Sequence, residues 1–356
     1  MDIFPLVRSA AEKGASDLHL VVDSCPIFRI NGLLISQEDL PVLTSDDVAH
    51  AFQQITAEKE RANFHHSLEL DFGYTMPDAG RLRCNAAKQR GTLTLAIRII
   101  PLVIPSLDEL GLPQICKDLV LKPRGLVVVS GPSGSGKSTT LAAMITYLNL
   151  VENKRIITLE DPIEYIYSNH KCTITQRELG SDTLSFADAL KHILRQDPDV
   201  ILVGEMRDLE TAAAVLTVAE TGHLILTTGH ATSASQAVER IVDLFPTHER
   251  HLAQTRLASL LLGILCQALV PRADGSGRAA AVEIMLANPA IKNIIREGKI
   301  HQLPNSIVTQ ASSGMMLLDH SLIDLYRRGV IGGDSLLAFC NDREEVTKLV
   351  GQVEVE

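Results

Sequence analysis

Apolar positions near the start of the chain recur at helical spacing: Ile3, Leu6, Val7, Ala10 and Ala11, stopped by Gly14. Residues 17–22 then alternate apolar and polar as a strand does. Two short apolar runs, Ile27 to Ile30 and Leu33 to Ile35, flank Asn31-Gly32, a strong hairpin turn. Thr44-Ser45-Asp46-Asp47 reads as a helix start, and the pattern predicts a helix running towards Phe64. Three strand-like runs follow, Leu68 to Tyr74, Arg81 to Gln89 and Thr92 to Ile99. Together they predict a small mixed domain with an antiparallel sheet over residues 1–100.

Pro101 to Pro105 reads as a linker, because each proline disfavours helix before it. We place the linker at 101–112 and a second domain at 113–356. From Leu107 strands and helices alternate. Strands are expected at Gly125 to Ser130, Arg155 to Glu160, Val200 to Val203 and His223 to Thr228, with a further one at Arg278 to Leu286. Helices are expected at Ser138 to Leu148, Ser185 to Leu194 and Leu209 to Glu220, and a mostly helical remainder after Leu286. Apolar strands spaced by helices predict an α/β fold with a largely parallel sheet covered on both faces. Ligands of such sheets sit at the carboxyl ends of the strands.

A length of 356 residues suits two domains or one large one, and 46% hydrophobic residues suffice for real cores. The net charge of −10 argues against a protein that coats nucleic acid. The first residues lack the basic start and apolar core of a signal peptide. The longest apolar stretch, Leu257 to Val270, is too short to span a bilayer and carries Gln267. A soluble, cytoplasmic protein is expected. The six cysteines contain no C-x-x-C pair and read as buried, reduced thiols.

The chemistry centres on Gly131-Pro132-Ser133-Gly134-Ser135-Gly136-Lys137-Ser138, between an apolar strand and a helix opening with Thr139. All fixed positions of a P-loop are filled in the context it requires. Glycines let backbone N–H groups face a phosphate chain, and the helix adds the positive end of its dipole. Lys137 would reach the β- and γ-phosphates and Ser138 would hold Mg²⁺. A plain glycine-rich turn is the alternative.

Acids arrive at two further strand ends. Glu160-Asp161-Pro162-Ile163-Glu164 suits Mg²⁺ or an attacking water, with a solvated acidic turn as the alternative. Asp199 to Val203 leads to Gly204-Glu205, in which Glu205 would orient water on Mg²⁺ or act as general base. Gly204 would let the backbone approach the nucleotide. His223 and His230 bracket one strand and are candidate γ-phosphate sensors, though not of the same phosphate. Phosphoryl transfer gains from a guanidinium against the transferring group. Arg81, Arg83, Arg90 and Arg98 of the small domain are candidates, as are Arg195 and Arg207.

Taken together, Gly131 to Ser138, Glu160 to Tyr165, Thr175-Gln176-Arg177-Glu178, Val203 to Asp208, the segment around His223 and His230, and Lys13 to His19 resemble the secretion ATPases of the type II/type IV pilus superfamily. The resemblance covers almost the whole chain and is nearest to the pilus-retraction motors. It implies a PAS-like N-terminal domain, a RecA-like ATPase domain and a homo-hexamer. ATP and Mg²⁺ would lie between domains, with small-domain arginines reaching across. It maps Arg83 and Arg98 onto those arginines, with Arg81 close behind. It makes Glu160 the catalytic glutamate, Glu205 the Walker B acid near Mg²⁺, reached partly through water, and His230 the His-box histidine. The implied activity is ATP hydrolysis powering pilus retraction by a ring peripheral to the inner membrane. The implied partners are an inner-membrane platform protein and a paralogous retraction ATPase. An accessory paralogue and an assembly or secretion ATPase are the alternatives. Relatives of the last kind usually carry an extra N-terminal domain and a tetracysteine zinc insert. Ala290 to Glu297 resembles the segment associated with retraction. Two positions depart from the usual pattern. Lys292 stands where arginine is usual, and Gly229 replaces a leucine beside the His-box histidine.

Overall fold

Two units make up the chain, one of Met1–Ile104 with Pro162–Ile166 and one of Pro105–Asp161 with Tyr167–Glu356. The computed structural model describes residues 1–30, 32–76, 80–100 and 103–351. Asn31 of the expected hairpin turn and Pro101 of the expected linker lie outside them.

In the first unit the order is α1 (Ile3–Glu12), β1 (Asp17–Leu20), β2 (Ile27–Ile30), β3 (Leu33–Ser36), α2 (Ser45–Gln54), α3 (Glu58–Ser67), β4 (Glu69–Met76), β5 (Gly80–Gln89) and β6 (Thr92–Ile100). The strands form one antiparallel sheet in the order β3-β2-β1-β6-β5-β4. Ile3, Leu6, Val7 and Ala10 of α1 share a core with Leu18, Phe28, Leu82, Leu95 and Ile97. The helix expected from Thr44 towards Phe64 is two helices. The Thr56 hydroxyl donates back to the Phe52 carbonyl (2.6 Å), and the Glu60 carboxylate accepts from the Ala57 N–H (2.6 Å) to open a second helix. Such local side-chain bonds compete with an uninterrupted helical ladder.

The second unit runs α4 (Ile115–Val120), β7 (Gly125–Ser130), α5 (Lys137–Val151), β8 (Arg155–Glu160), β9 (Thr173–Glu178), α6 (Phe186–Ile193), β10 (Val200–Val203), α7 (Leu209–Glu220), β11 (Leu224–Thr228), α8 (Ala234–Asp243), α9 (Arg250–Leu260), β12 (Leu261–Pro271), β13 (Arg278–Leu286), α10 (Pro289–Arg296), α11 (Leu303–Thr309), α12 (Leu318–Arg327), α13 (Gly333–Phe339) and α14 (Arg343–Val350). Its sheet has the order β13-β12-β7-β11-β10-β8-β9, parallel except for β13 against β12. Leu126, Val128, Ile157, Ile201 and Ile225 share a core with α6, α7 and α8. The alternate residues Val127, Val129, Ile156 and Leu202 are equally buried on the other face, where α5 packs. Burial on both faces is why these strands read as unbroken apolar runs.

Two strands were not anticipated. Strand β12 occupies most of the long apolar stretch, whose all-round burial removes any alternation. Strand β9 is a mostly polar, half-buried sheet edge. Among the described residues no helix is long and apolar enough to cross a membrane. All six cysteines are free; Cys25 and Cys340 are only partly buried. Burial pushes the Cys84 and Cys116 thiols up to about 12, so neither is a thiolate at neutral pH.

Candidate active site

Strand β7 ends at Ser130 and α5 begins at Lys137, so the glycine-rich turn joins a buried strand to a helix N-terminus. Its conformation needs glycine. Gly131 (φ 145°) and Gly136 (φ 87°) lie in the left-handed region. A Cβ on Gly131 would stand 2.4 Å from the Gln267 carbonyl, and one on Gly136 would stand 2.9 Å from Gln267 Nε2. Ser133 and Gly134 are exposed, while Ser138 and Thr139 are half-buried in the first helical turn. Lys137 is only 9% exposed, and its Nζ donates to the Gly131 and Pro132 carbonyls at 2.8 and 2.9 Å. The ammonium therefore already sits inside the curve of the loop. Ser135 Oγ is buried without a hydrogen-bond partner. A buried orphan hydroxyl costs about 1–3 kcal/mol. Together with the glycines and the lysine, it fits a loop built to cradle phosphate.

Glu160, Glu205 and His230 all stand at carboxyl ends of parallel strands in the same unit, on the edge that carries the loop. Glu160 accepts from Thr158 Oγ1 (2.6 Å) and Gln176 Nε2 (3.2 Å) through one oxygen. Glu205 has a side chain 12% exposed. One of its oxygens meets Arg207 Nε (2.6 Å) and the other meets His230 Nε2 (3.2 Å). With both oxygens engaged, a direct metal bond would displace a partner, whereas a water-mediated one suits the arrangement. Among the described residues no group of three or more His, Cys, Asp or Glu could hold a metal ion. Gly204 brings the end of β10 against β8; a Cβ there would lie 3.3 Å from the Leu159 carbonyl.

His223 lies at the other end of the sheet. Its ring bonds Thr221 Oγ1 (2.9 Å), and its carbonyl accepts from Gly125 at the start of β7. Five residues of strand, about 16 Å, separate it from the loop edge, so its position is that of a turn residue. Arg195 lies in a short helical turn on the amino side of β10.

In the first unit Arg83 of β5 pairs with Arg98 of β6 across the sheet. Arg98 Nε donates to Asp17 (2.9 Å), and Arg83 lies 3.8 Å from Glu164. Arg81 Nε donates to the Ile163 carbonyl (3.2 Å) and Nη1 to Thr75 Oγ1 (2.8 Å). Arg90 (φ 49°) occupies the β5–β6 turn.

Three residues without an assigned role in the sequence reading brace the site. Gln267 of β12 accepts from Thr140 Oγ1 (2.7 Å) and abuts both loop glycines. Its only sequence signal is a polar residue inside an apolar run. Ser130 Oγ donates to the Ala231 carbonyl (2.7 Å) and is fully buried. Glu283 of β13 accepts from the Ala234 N–H (2.6 Å).

Ser130 also accounts for Gly229. A Cβ at Gly229 would lie 3.0 Å from Ser130 Oγ and 3.4 Å from its Cβ. Ser130 is buried and tied to the Ala231 carbonyl, so giving way would strain that bond. Gly229→Ala should therefore lower stability by about 1–3 kcal/mol, read as a lower Tm. Ser130→Ala in the same chain should recover part of it; a Gly229→Ala protein as stable as the parent would refute the crowding. Beside Gly229 a cavity of about 370 Å³ borders His230, Val128, Met206, Ile241 and Leu244.

The segment resembling the retraction motif is α10, with Ile291 and Ile295 buried. Lys292 Nζ donates to the Ser259 carbonyl (3.1 Å) in the last turn of α9. A point charge suffices for one carbonyl at the negative end of a helix.

The profile of the family described as type II/IV secretion system protein matches residues 2–313. The Pseudomonas aeruginosa pilus retraction ATPase PilT is 44% identical over 335 residues, 94% of this chain and 97% of its own length. The pilus ATPase PilU of the same bacterium is 39% identical over 350 residues, 98% of this chain and 91% of its own length. The crystal structure of the pilus retraction motor PilT with bound ADP superposes with a TM-score of 0.89 at 40% identity, covering 98% of this chain and 99% of that one.

Proposed function

The chain belongs to the type II/IV secretion system protein family, and from that membership we propose that it is an ATP-hydrolysing motor of type IV pilus retraction. The carrying observation is likeness to PilT along nearly the full length of both chains. It is joined by a loop and three strand-end residues that suit hydrolysis.

In this reading Lys137 and the N-terminus of α5 neutralise the β- and γ-phosphates, while the loop N–H groups orient them. Glu205 orients the attacking water and takes its proton; it lies within hydrogen-bond reach of His230, which senses the γ-phosphate edge. Glu160, the catalytic glutamate of the resemblance, is fixed by Thr158 and Gln176 and is the second candidate for that proton. Mg²⁺, when bound, would offset charge developing on the phosphate oxygens. Ser138 and, through water, Glu205 would hold it. Arg83 and Arg98 complete the site in a homo-hexamer, and the ring acts on an inner-membrane platform protein.

A second reading, an accessory ATPase beside a main motor, draws support from the likeness to PilU over 98% of this chain. Deleting the gene and counting surface pili separates the readings. Excess pili that fail to retract are expected. Bald cells would overturn retraction in favour of assembly, and unchanged pilus numbers would favour the accessory role.

A further inference from the structure

Five residues, Gly229 to Ser233, link the end of β11 to α8, and buried polar groups on the sheet tie this loop in its middle and where it enters α8. Ser130 Oγ holds the Ala231 carbonyl at 2.7 Å, and Glu283 Oε1 holds the Ala234 N–H at 2.6 Å. The two anchors stand in one row of the sheet, since Cys266 of β12 pairs with Ser130 on one side and with Glu283 on the other. Glu283 is 4% exposed. Ala234 is the first residue of α8, so this one buried carboxylate accepts the opening N–H of that helix, at its positive dipole end.

We propose that Glu283, together with Ser130, is a positioning residue that sets where His230 stands against Glu205. The inference rests on the reading of His230 given above. Among the described residues neither anchor is hydrogen-bonded to His230. They act by removing freedom from the loop that carries it, at the Ala231 carbonyl and at the Ala234 N–H that follows the loop. A displacement of about 1 Å at a reacting group can lower a rate by about a hundredfold, so the hold need not be broken to be felt. Burial raises the Glu283 carboxyl above its usual range, and Cys266 beside it is raised further by burial and by that charge. The row is thus a closed, desolvated network, in which a missing acceptor is not replaced by water.

Glu283→Gln keeps the shape but puts an NH₂ group, which only donates, where one of the two acceptor oxygens stood. Ser130→Ala removes only a hydroxyl. The test measures ATP turnover of the full-length protein for these variants, for His230→Ala and for each pair, with Tm recorded throughout. Glu283→Gln and Ser130→Ala are expected to lower kcat by about tenfold with KM for ATP within about twofold, because the phosphate loop is untouched. In the His230→Ala background each should lower kcat by less than about twofold further, since residues acting as one unit are not additive. Should Glu283→Gln fail to fold, Ser130→Ala carries the same comparison. Equal losses with and without His230 would overturn the proposal. So would unchanged kcat in folded Glu283→Gln and Ser130→Ala proteins while His230→Ala is impaired. If His230→Ala itself turns over ATP normally, the reading of His230 falls and takes the proposal with it.

Discussion

Replacing Lys137 with alanine is expected to reduce ATP turnover by at least about a hundredfold. Lys137 is the loop's one cation, and its ammonium is held by the Gly131 and Pro132 carbonyls at 2.8 and 2.9 Å. It needs no rearrangement of the backbone to exchange those carbonyls for phosphate oxygens. A single preorganised electrostatic group contributes about 10²–10³ in kcat, and this one also binds the ground state, so nucleotide affinity should fall as well. The fold should survive, because the loop is shaped by its glycines and by Gln267 rather than by the lysine. Phosphate release and nucleotide titration check both effects. Turnover within about threefold of the parent would refute the assignment.

Glu205→Gln should separate binding from hydrolysis. The amide keeps the shape and can still accept from Arg207, but it cannot take a proton from water. General-base contributions of about 10²–10⁴ set the expected loss in kcat, with nucleotide binding retained. Stability should change by no more than about 1 kcal/mol, because the Arg207 partner is 68% exposed and solvent screens the pair. Unimpaired turnover by a folded Glu205→Gln protein would move the base elsewhere, and Glu160, 2.6 Å from Thr158 Oγ1, would be the next residue to replace.

The parts of the site legible from sequence are those made by neighbours in the chain. The loop from Gly131 to Ser138 declares itself because its backbone shape depends on its own glycines. Glu160, Glu205 and His230 are legible because each closely follows an apolar strand, and parallel strands collect their carboxyl ends on one edge. Helix α2 ended before its pattern did, because Thr56 and Glu60 offered the backbone other partners. Strand β12 stayed hidden because burial on every side erases periodicity. Gly229 stands where a leucine is usual beside His230, and a side chain there would meet Ser130.

What the sequence by itself determined is the local pattern and its order: a glycine-rich loop between strand and helix, two acids and a histidine at strand ends, and the change from an antiparallel to a parallel pattern. These follow from φ/ψ preference, from period and from the few residues on either side. Only the tertiary structure decided which polar groups steady that chemistry. Gln267 reaches Thr140 from 127 positions away, Ser130 reaches Ala231 from 101 and Glu283 reaches Ala234 from 49. Those pairings exist because the strand order sets β13, β12, β7 and β11 side by side. They carry weight because each bond is buried, where water offers no substitute partner.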